Sequence, residues 1–277
     1  MADEVSKICL VIGSPIAHSL SPTMHNAAYK ALGIESKFAF LGALVGSAEL
    51  PKFIEKARAK KLHMLAVTIP HKETIIDYLD ELDPIAKEIG AVNTVINEAG
   101  RLIGYNTDSP GAIAALQLHA NLKDKKVAVL GSGGTAMAIL YGLAKEKADI
   151  TIFSRNKERA NELATKYGAK VLPWEEREKA FESDIIINTT PVGRDDDELP
   201  IPTEGLNEKH IVFDVNYNLS GTPLLNEASK KGAVVIDGLE LLLQQGILQF
   251  ELYTGMHAPE QAMRKALKKS KTSTNVN

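Results

Sequence analysis

The sequence predicts an α/β protein of two domains, each built on a largely parallel sheet. Short β-like runs alternate with helical stretches from start to finish, the pattern of parallel sheets wrapped by crossover helices. The 277 residues exceed one typical core. A polar, charged segment from Ala120 to Lys126 is followed by a fresh strand that opens a second βαβ series. The expected first domain therefore spans residues 1–119 together with C-terminal helices of about 239–269, and the second spans 120–238.

Taken in order, the first series supplies ICLVI (8–12), KFAFL (37–41), HMLAVT (63–68) and AVNTVI (91–96) as strands. Between the first two lies a helix from Pro22 to Leu32, with Ser21 as its N-cap, Pro22 at the first helical position and Gly33 closing it. The second series runs KVAVL (126–130), ADITIF (148–153), SDIIIN (183–188), HIVFDV (210–215) and AVVID (233–237). Pro191 to Pro202, carrying Arg194, Asp195, Asp196 and Asp197, reads as an exposed loop. After Gly238 comes LELLLQQGILQFELY, a helix too rich in leucine to lie on a surface and expected to return to the first domain. The polar, aperiodic residues Ser270 to Asn277 read as a frayed tail.

Composition excludes several classes. Hydrophobic residues at 44% and charged residues at 24% are ordinary for a globular chain. The net charge of -3 is interspersed, with no basic stripe to neutralise a phosphate backbone, so nucleic acid is not an expected partner. The opening MADEVSK has no apolar signal region, and no segment approaches the roughly 20 apolar residues of a membrane span. The single cysteine, Cys9, lies inside the apolar run Ile8 to Ile12, which rules out an intrachain disulfide, reads as a buried thiol and fits a reducing cytosol.

Strand 126–130 runs directly into Gly131, Ser132, Gly133, Gly134, Thr135 and Ala136, then into a stretch with Ile139, Leu140 and Leu143 at helical spacing. Strand, glycine turn and helix in that order are the context a Rossmann-type dinucleotide fingerprint requires. Gly131 makes the tight turn, Gly133 lets backbone approach a pyrophosphate, Ala136 permits close helix packing, and the helix N-terminus offers unsatisfied N–H groups to phosphate. An NAD-selective fold places Asp or Glu about 20 residues past the first glycine. This chain instead has Ser154, Arg155, Asn156 and Lys157, with Arg159 beyond. A carboxylate there repels a 2′-phosphate whereas arginine pairs with it, so NADP(H) is the expected cofactor. Taken alone, Arg155, Lys157 and Arg159 also read as a solvated helix start.

The first domain has three loops suited to a hydride-accepting substrate. In GSPIAHSLSPTMHN (13–26), Ser19 and Ser21 sit two apart at a helix entry, a natural anion site, although Ser21 alone would be a cap and His18 and His25 lack a third ligand at metal spacing. In AVTIPHK (66–72), a buried strand ends in Thr68 and then Lys72, at the edge where open α/β sheets bind ligands; His71 is a rival proton carrier. GYNTDSPG (104–111) supplies Asn106, Thr107 and Asp108, the last of which alone would be an N-cap.

PIAHSLSP, VTIPHK, GAVNT, GYNTD, GSGGTA, NTTPVG and DGLELLLQQ, in this order through most of the chain, resemble the motifs of the shikimate dehydrogenase family. The resemblance implies an N-terminal α/β substrate domain plus a Rossmann-type domain, catalysing reversible NADP-dependent reduction of 3-dehydroshikimate to shikimate in aromatic amino-acid biosynthesis. By position it assigns the substrate carboxylate to Ser19 and Ser21 and the ring hydroxyls to Thr68, Lys72, Asn93, Asp108 and Gln245, with Tyr217 nearby. It assigns the cofactor to Gly131, Ser132, Gly133, Gly134, Thr135, Ser154, Arg155, Asn156, Arg159, Thr190, Val215 and Gly238. Lys72 and Asp108 are the implied catalytic pair: a lysine ammonium stabilises charge on the ketone oxygen and delivers the proton, so no metal is required. The expected partner is a small-molecule substrate, and the expected state a cytoplasmic monomer or homodimer without nucleic-acid or membrane partners.

Two positions depart from the family pattern. Ala66 stands where an Asn commonly precedes Val-Thr, and Glu240 where glycine is frequent, near the expected nicotinamide. Two other readings are a quinate/shikimate dehydrogenase with relaxed substrate or cofactor choice, and a sensor that binds the same ligands without turnover. The absence of an acid at Ser154 opposes NAD use in the first, and Lys72 together with Asp108 opposes the second.

Overall fold

The computed structural model describes residues 7–59, 62–218 and 220–273, the last three by backbone alone. Residues 1–6 and 274–277, which carry most of the acidic opening and the end of the expected tail, lie outside the described residues. The chain divides into two compact units, Met1–Thr107 with Gln245–Ser270, and Asp108–Gln244 with Lys271–Asn277.

The first unit contains β1 (Lys7–Gly13), α1 (Ser21–Leu32), β2 (Phe38–Leu44), α2 (Leu50–Ala59), β3 (Met64–Val67), β4 (Glu81–Leu82), α3 (Pro84–Ile89), β5 (Thr94–Glu98) and β6 (Arg101–Tyr105). Its sheet has the order β2-β1-β3-β5-β6-β4. β1 pairs parallel with β2 and β3, whereas β5 runs antiparallel to both β3 and β6. The reversal follows from the link between β5 and β6. Glu98 pairs with Arg101 across only Ala99 and Gly100, whose φ angles of 53° and 101° are both positive. So short a turn joins antiparallel strands, since a parallel pair needs a crossover of a dozen residues. Ile12, Leu65, Val67, Val95 and Leu102 form the core with Leu50 and Ile54 of α2.

α1 ends at Gly33, left-handed at φ 67°, as its sequence predicts. Its start corrects the sequence reading. Ser21 is the first helical residue and Leu20 the cap, because the first helical bond runs from the Met24 N–H to the Leu20 carbonyl.

The second unit contains α4 (Asp108–Gln117), β7 (Lys126–Leu130), α5 (Gly134–Lys145), β8 (Asp149–Ser154), α6 (Lys157–Tyr167), β9 (Lys170–Pro173), β10 (Ile185–Asn188), β11 (Ile211–Asp214), α7 (Pro223–Lys230) and β12 (Val234–Ile236). All neighbouring strands in its sheet, ordered β12-β11-β10-β7-β8-β9, are parallel. Strand order reverses between β7 and β10, which makes the edge beyond their C-termini the ligand crevice of a doubly wound fold. α4 belongs to this unit, earlier than residue 120, because it buries against α5 so closely that a Cβ on Gly142 would stand 2.5 Å from Ile113.

The chain continues into α8 (Gly238–Thr254) and α9 (Glu260–Ser273). From Gln245 onward α8 belongs to the first unit, where Phe250 stacks on His25 of α1 and makes a tilted contact with Tyr29, and Tyr253 a tilted contact with His25. Helix continues to Ser273, so the segment from Ser270 does not fray at its start as its composition predicts. Among the described residues no helix is long and apolar enough to cross a membrane.

Candidate active site

In the first unit one sheet edge collects polar groups from the ends of four strands. β1 and β3 end there, and because β5 is antiparallel to β3, the start of β5 and the end of β6 lie at the same edge. Thus the Val67 N–H donates to the Asn93 carbonyl at 2.7 Å, the Asn93 N–H to the Tyr105 carbonyl at 3.1 Å, and the Val92 N–H to the Lys72 carbonyl at 2.7 Å. The Ser14 N–H donates to the Ile69 carbonyl, which ties the loop after β1 to the loop after β3. Thr68 and Lys72, both half-buried, ride on that second loop. His71 is fully buried beside them with Nε2 against the Val45 carbonyl at 2.7 Å, so it anchors the loop.

The anion site expected at α1 takes a form the sequence did not specify. Ser19 Oγ accepts from the Ser21 N–H at 3.4 Å, while Ser21 itself is buried. Both hydroxyls therefore stand at the N-terminus of a 12-residue helix, whose dipole favours a carboxylate.

Asn93, 2% exposed, is the centre of the amide set. Its Oδ1 accepts from the Thr107 N–H at 2.8 Å and the Thr94 hydroxyl at 2.9 Å; its Nδ2 donates to Thr107 Oγ1 at 2.9 Å and Gln245 Oε1 at 3.3 Å. Gln249, one turn beyond Gln245, donates to Thr94 Oγ1 at 2.8 Å. Sequence reasoning named Asn93 and Gln245 and missed Thr94 and Gln249. A buried glutamine one turn after another, on a leucine-rich helix, was the available signal. Ala66 pairs in register with Thr94 and is buried in the strand.

In the second unit the glycine turn sits at the strand-order reversal. Gly131 has φ 112°, and a Cβ there would collide with Thr189 Oγ1 and stand 3.3 Å from Thr190, at the end of the neighbouring β10. Gly133 is different: it caps α5 with φ −81°, and a Cβ there would meet nothing within 4 Å. Among the described residues no contact calls for glycine at Gly133. The open cradle before the N-terminus of α5, where Gly134 and Thr135 begin the helix, fits a pyrophosphate that must approach the backbone.

Beside the turn, the Ser132 and Ser154 hydroxyls bond at 2.9 Å, and Arg159 Nε donates to the Ser132 carbonyl at 2.7 Å. Asn156 caps α6 by accepting from the Arg159 N–H at 3.0 Å. Arg155 is exposed, and no carboxylate stands at the end of β8. The group is thus suited to an anionic ribose substituent, with Arg159 bracing the turn and Arg155 facing solvent.

The ends of β10 and β11 form a buried network that sequence reasoning also missed. Asp214, fully buried, accepts from Asn188 Nδ2 at 3.0 Å, the Asn216 N–H at 3.1 Å and the Thr222 hydroxyl at 2.8 Å. Asn188 Oδ1 in turn accepts from both the N–H and the hydroxyl of Thr190, and the Asn188 carbonyl from the Val215 N–H. Thr190, an expected cofactor residue, is therefore held through Asn188 by the Asp214 carboxylate, and Val215 by the backbone pairing of the two strands. Burial pushes that carboxyl up to about 6, against the hydrogen bonds that lower it. A polar residue closing each apolar run, IIIN and IVFD, was the visible trace.

The remaining assigned residues are spread across the second unit. Asp108 is the buried first residue of α4, and Tyr217 is half-buried after β11. Gly238, buried, opens α8, followed by Glu240, whose N–H bonds Asp237 and whose carboxylate accepts from Gln244 Nε2 at 2.8 Å.

Known proteins match this architecture along the chain. Residues 11–95 match the family model of the shikimate dehydrogenase substrate binding domain, 238–268 that of the shikimate 5'-dehydrogenase C-terminal domain, and 126–216 that of NADP oxidoreductase, coenzyme F420-dependent. The shikimate dehydrogenase (NADP(+)) of Nitrosopumilus maritimus is 40% identical over 95% of this chain and 98% of its own length. The crystal structure of shikimate dehydrogenase from Aquifex aeolicus superposes with a TM-score of 0.90 at 37% identity, covering 97% of this chain and 100% of that one. That of Thermus thermophilus shikimate 5-dehydrogenase in complex with NADP(H) and shikimate gives 0.88 at 35% identity, covering 95% and 99%. With the substrate-side loops, the all-parallel second sheet and its glycine turn in matching order, the chain belongs to the shikimate dehydrogenase family.

Proposed function

We propose that the protein catalyses the reversible, NADP-dependent reduction of 3-dehydroshikimate to shikimate, a step toward aromatic amino acids. The observation that carries this reading is the gathering, at one sheet edge, of Thr68, Lys72, Asn93 and Gln245 beside the hydroxyl-lined N-terminus of α1. Such a set suits a ring bearing one carboxylate and several hydroxyls. Ser19 and Ser21 hold the carboxylate; Thr68, Asn93 and Gln245 hold ring hydroxyls, with Tyr217 nearby.

Gly131, Ser132, Gly133, Gly134 and Thr135 hold the pyrophosphate, Ser154, Arg155, Asn156 and Arg159 the phosphorylated ribose, and Thr190, Val215 and Gly238 the nicotinamide end. Bound NADPH supplies the hydride that the ketone carbon receives. As negative charge gathers on the ketone oxygen, the Lys72 ammonium stabilises it and delivers the proton. Asp108 hydrogen-bonds a substrate hydroxyl and completes the catalytic pair. The substrate is a small molecule, with no nucleic acid or membrane involved, and the protein works in the cytoplasm as a monomer or homodimer.

The test is oxidation of shikimate, with quinate as comparator, using NADP+ and NAD+ in turn. Shikimate with NADP+ is expected to give the highest kcat/KM. Tight binding of both ligands without turnover would identify a sensor and refute the catalytic reading.

A further inference from the structure

A buried chain of hydrogen bonds in the first unit ends on Asn93 and Gln245, and backbone groups anchor its direction at two places. The Gln249 side chain faces the Asn93 carbonyl at 3.3 Å. A carbonyl only accepts, so that atom of Gln249 is Nε2, which also donates to Thr94 Oγ1 at 2.8 Å. The Thr94 hydroxyl then directs its own proton to Asn93 Oδ1 at 2.9 Å. That acceptor is identified independently by the Thr107 N–H, which only donates, at 2.8 Å. Asn93 must therefore turn Nδ2 toward Gln245 Oε1 at 3.3 Å, and Gln245 must turn its own NH2 away from Asn93.

Beside this chain, the Tyr253 hydroxyl lies 3.0 Å from His25 Nδ1 and 2.6 Å from the Tyr29 hydroxyl. Burial lowers the His25 pKa to about 3, which keeps that ring neutral.

We propose that Thr94 and Gln249 are positioning residues for substrate recognition: their relay from β5 and α8 braces, together with the Thr107 N–H, the amide orientations of Asn93 and Gln245, so that Gln245 presents N–H donors to oxygen acceptors of the ring. This rests on the functional reading above and adds to it a determinant of hydroxyl recognition that touches no ligand itself.

Thr94→Val removes the relay hydroxyl at constant shape and Thr94→Ser retains it; Gln249→Met interrupts the relay from the other side. Each is assayed with NADP+ and with shikimate or analogues lacking one ring hydroxyl, beside a thermal melt. Thr94→Val and Gln249→Met are expected to raise KM for shikimate about tenfold, the scale of one lost hydrogen bond, with KM for NADP+ unchanged. They should also lose the discrimination between shikimate and one of the deoxy analogues, and Thr94→Ser should restore it. Wild-type discrimination in Thr94→Val, or equal losses in the Val and Ser variants, would overturn the relay while leaving the activity standing. Should both interrupting variants unfold, side-chain amide exchange in the wild type decides: slow Gln249 exchange supports the relay, and exchange as fast as an exposed amide overturns it. A wild type that neither binds nor oxidises shikimate would overturn the functional reading and the relay together.

Discussion

Replacing Gly131 and Gly133 by alanine, one at a time, separates a glycine the fold requires from one the cofactor requires. At Gly131 the φ of 112° costs an L-residue about 1–2 kcal/mol. The added Cβ also collides with Thr189 Oγ1, which cannot swing aside without losing its 2.7 Å bond to the Leu130 carbonyl. Such overpacking adds about 1–3 kcal/mol. Gly131→Ala is expected to lose about 3 kcal/mol without any ligand, or about 6–12 °C of Tm for a unit of this size. At Gly133 the φ of −81° suits any residue and the Cβ meets no protein atom, so only a weakened helix cap remains, about 1 kcal/mol or less. The same Cβ fills the cradle proposed for pyrophosphate, and NADPH affinity should fall by about 5–150-fold. Thermal melts of the ligand-free variants and calorimetric NADPH titrations read the two effects apart. Wild-type NADPH affinity in Gly133→Ala, or a ligand-free Tm loss matching that of Gly131→Ala, would refute the reasoning.

Three further outcomes follow from the site. Lys72→Ala should lower kcat on the order of 10² or more with a smaller change in KM, and a near-normal kcat in steady-state assays would remove lysine from the chemistry. Arg155→Ala should raise KM for NADPH far more than for NADH; equal changes would end its 2′-phosphate role. Asp214 should make stability fall as pH rises. Its folded carboxyl titrates at about 6 against 3.8 when free, so between those values the folded state binds more protons than the unfolded one. The group's contribution is complete below about pH 4 and lost above about pH 6, about 3 kcal/mol in all. The Tm advantage of Asp214→Asn over wild type should therefore grow from pH 4 to 6 and level off above 7. A constant difference would show that Asp214 keeps its ordinary titration.

Local rules read the second unit well because each of its signals is local. β7, its glycine turn and α5 occupy one continuous stretch, and the buried strands β8, β10 and β11 are short apolar runs that can be nothing else once helices intervene. The first unit was less legible where a turn lacked its usual residue. The hairpin between β5 and β6 places Ala99 at positive φ, a position normally marked by Asn or Asp, so Gly100 alone was left to signal the turn and the antiparallel reversal. The N-cap of α1 was misplaced by one residue because Leu20 caps it through its backbone carbonyl and offers no side-chain cap for a sequence to display, while Ser21 next to it does.

The sequence by itself determined the α/β class, the dinucleotide turn, the missing acid after β8 and the identities of the residues proposed to carry the chemistry, since each depends on residue type and near-neighbour spacing. Tertiary structure alone decided which strand ends share an edge, which of His71 and Lys72 is sealed in the core, and which way the Asn93 and Gln245 amides face. Those outcomes depend on hydrogen bonds between residues up to 156 positions apart, as from Gln249 to Asn93, and no local pattern encodes which distant donor will meet which acceptor.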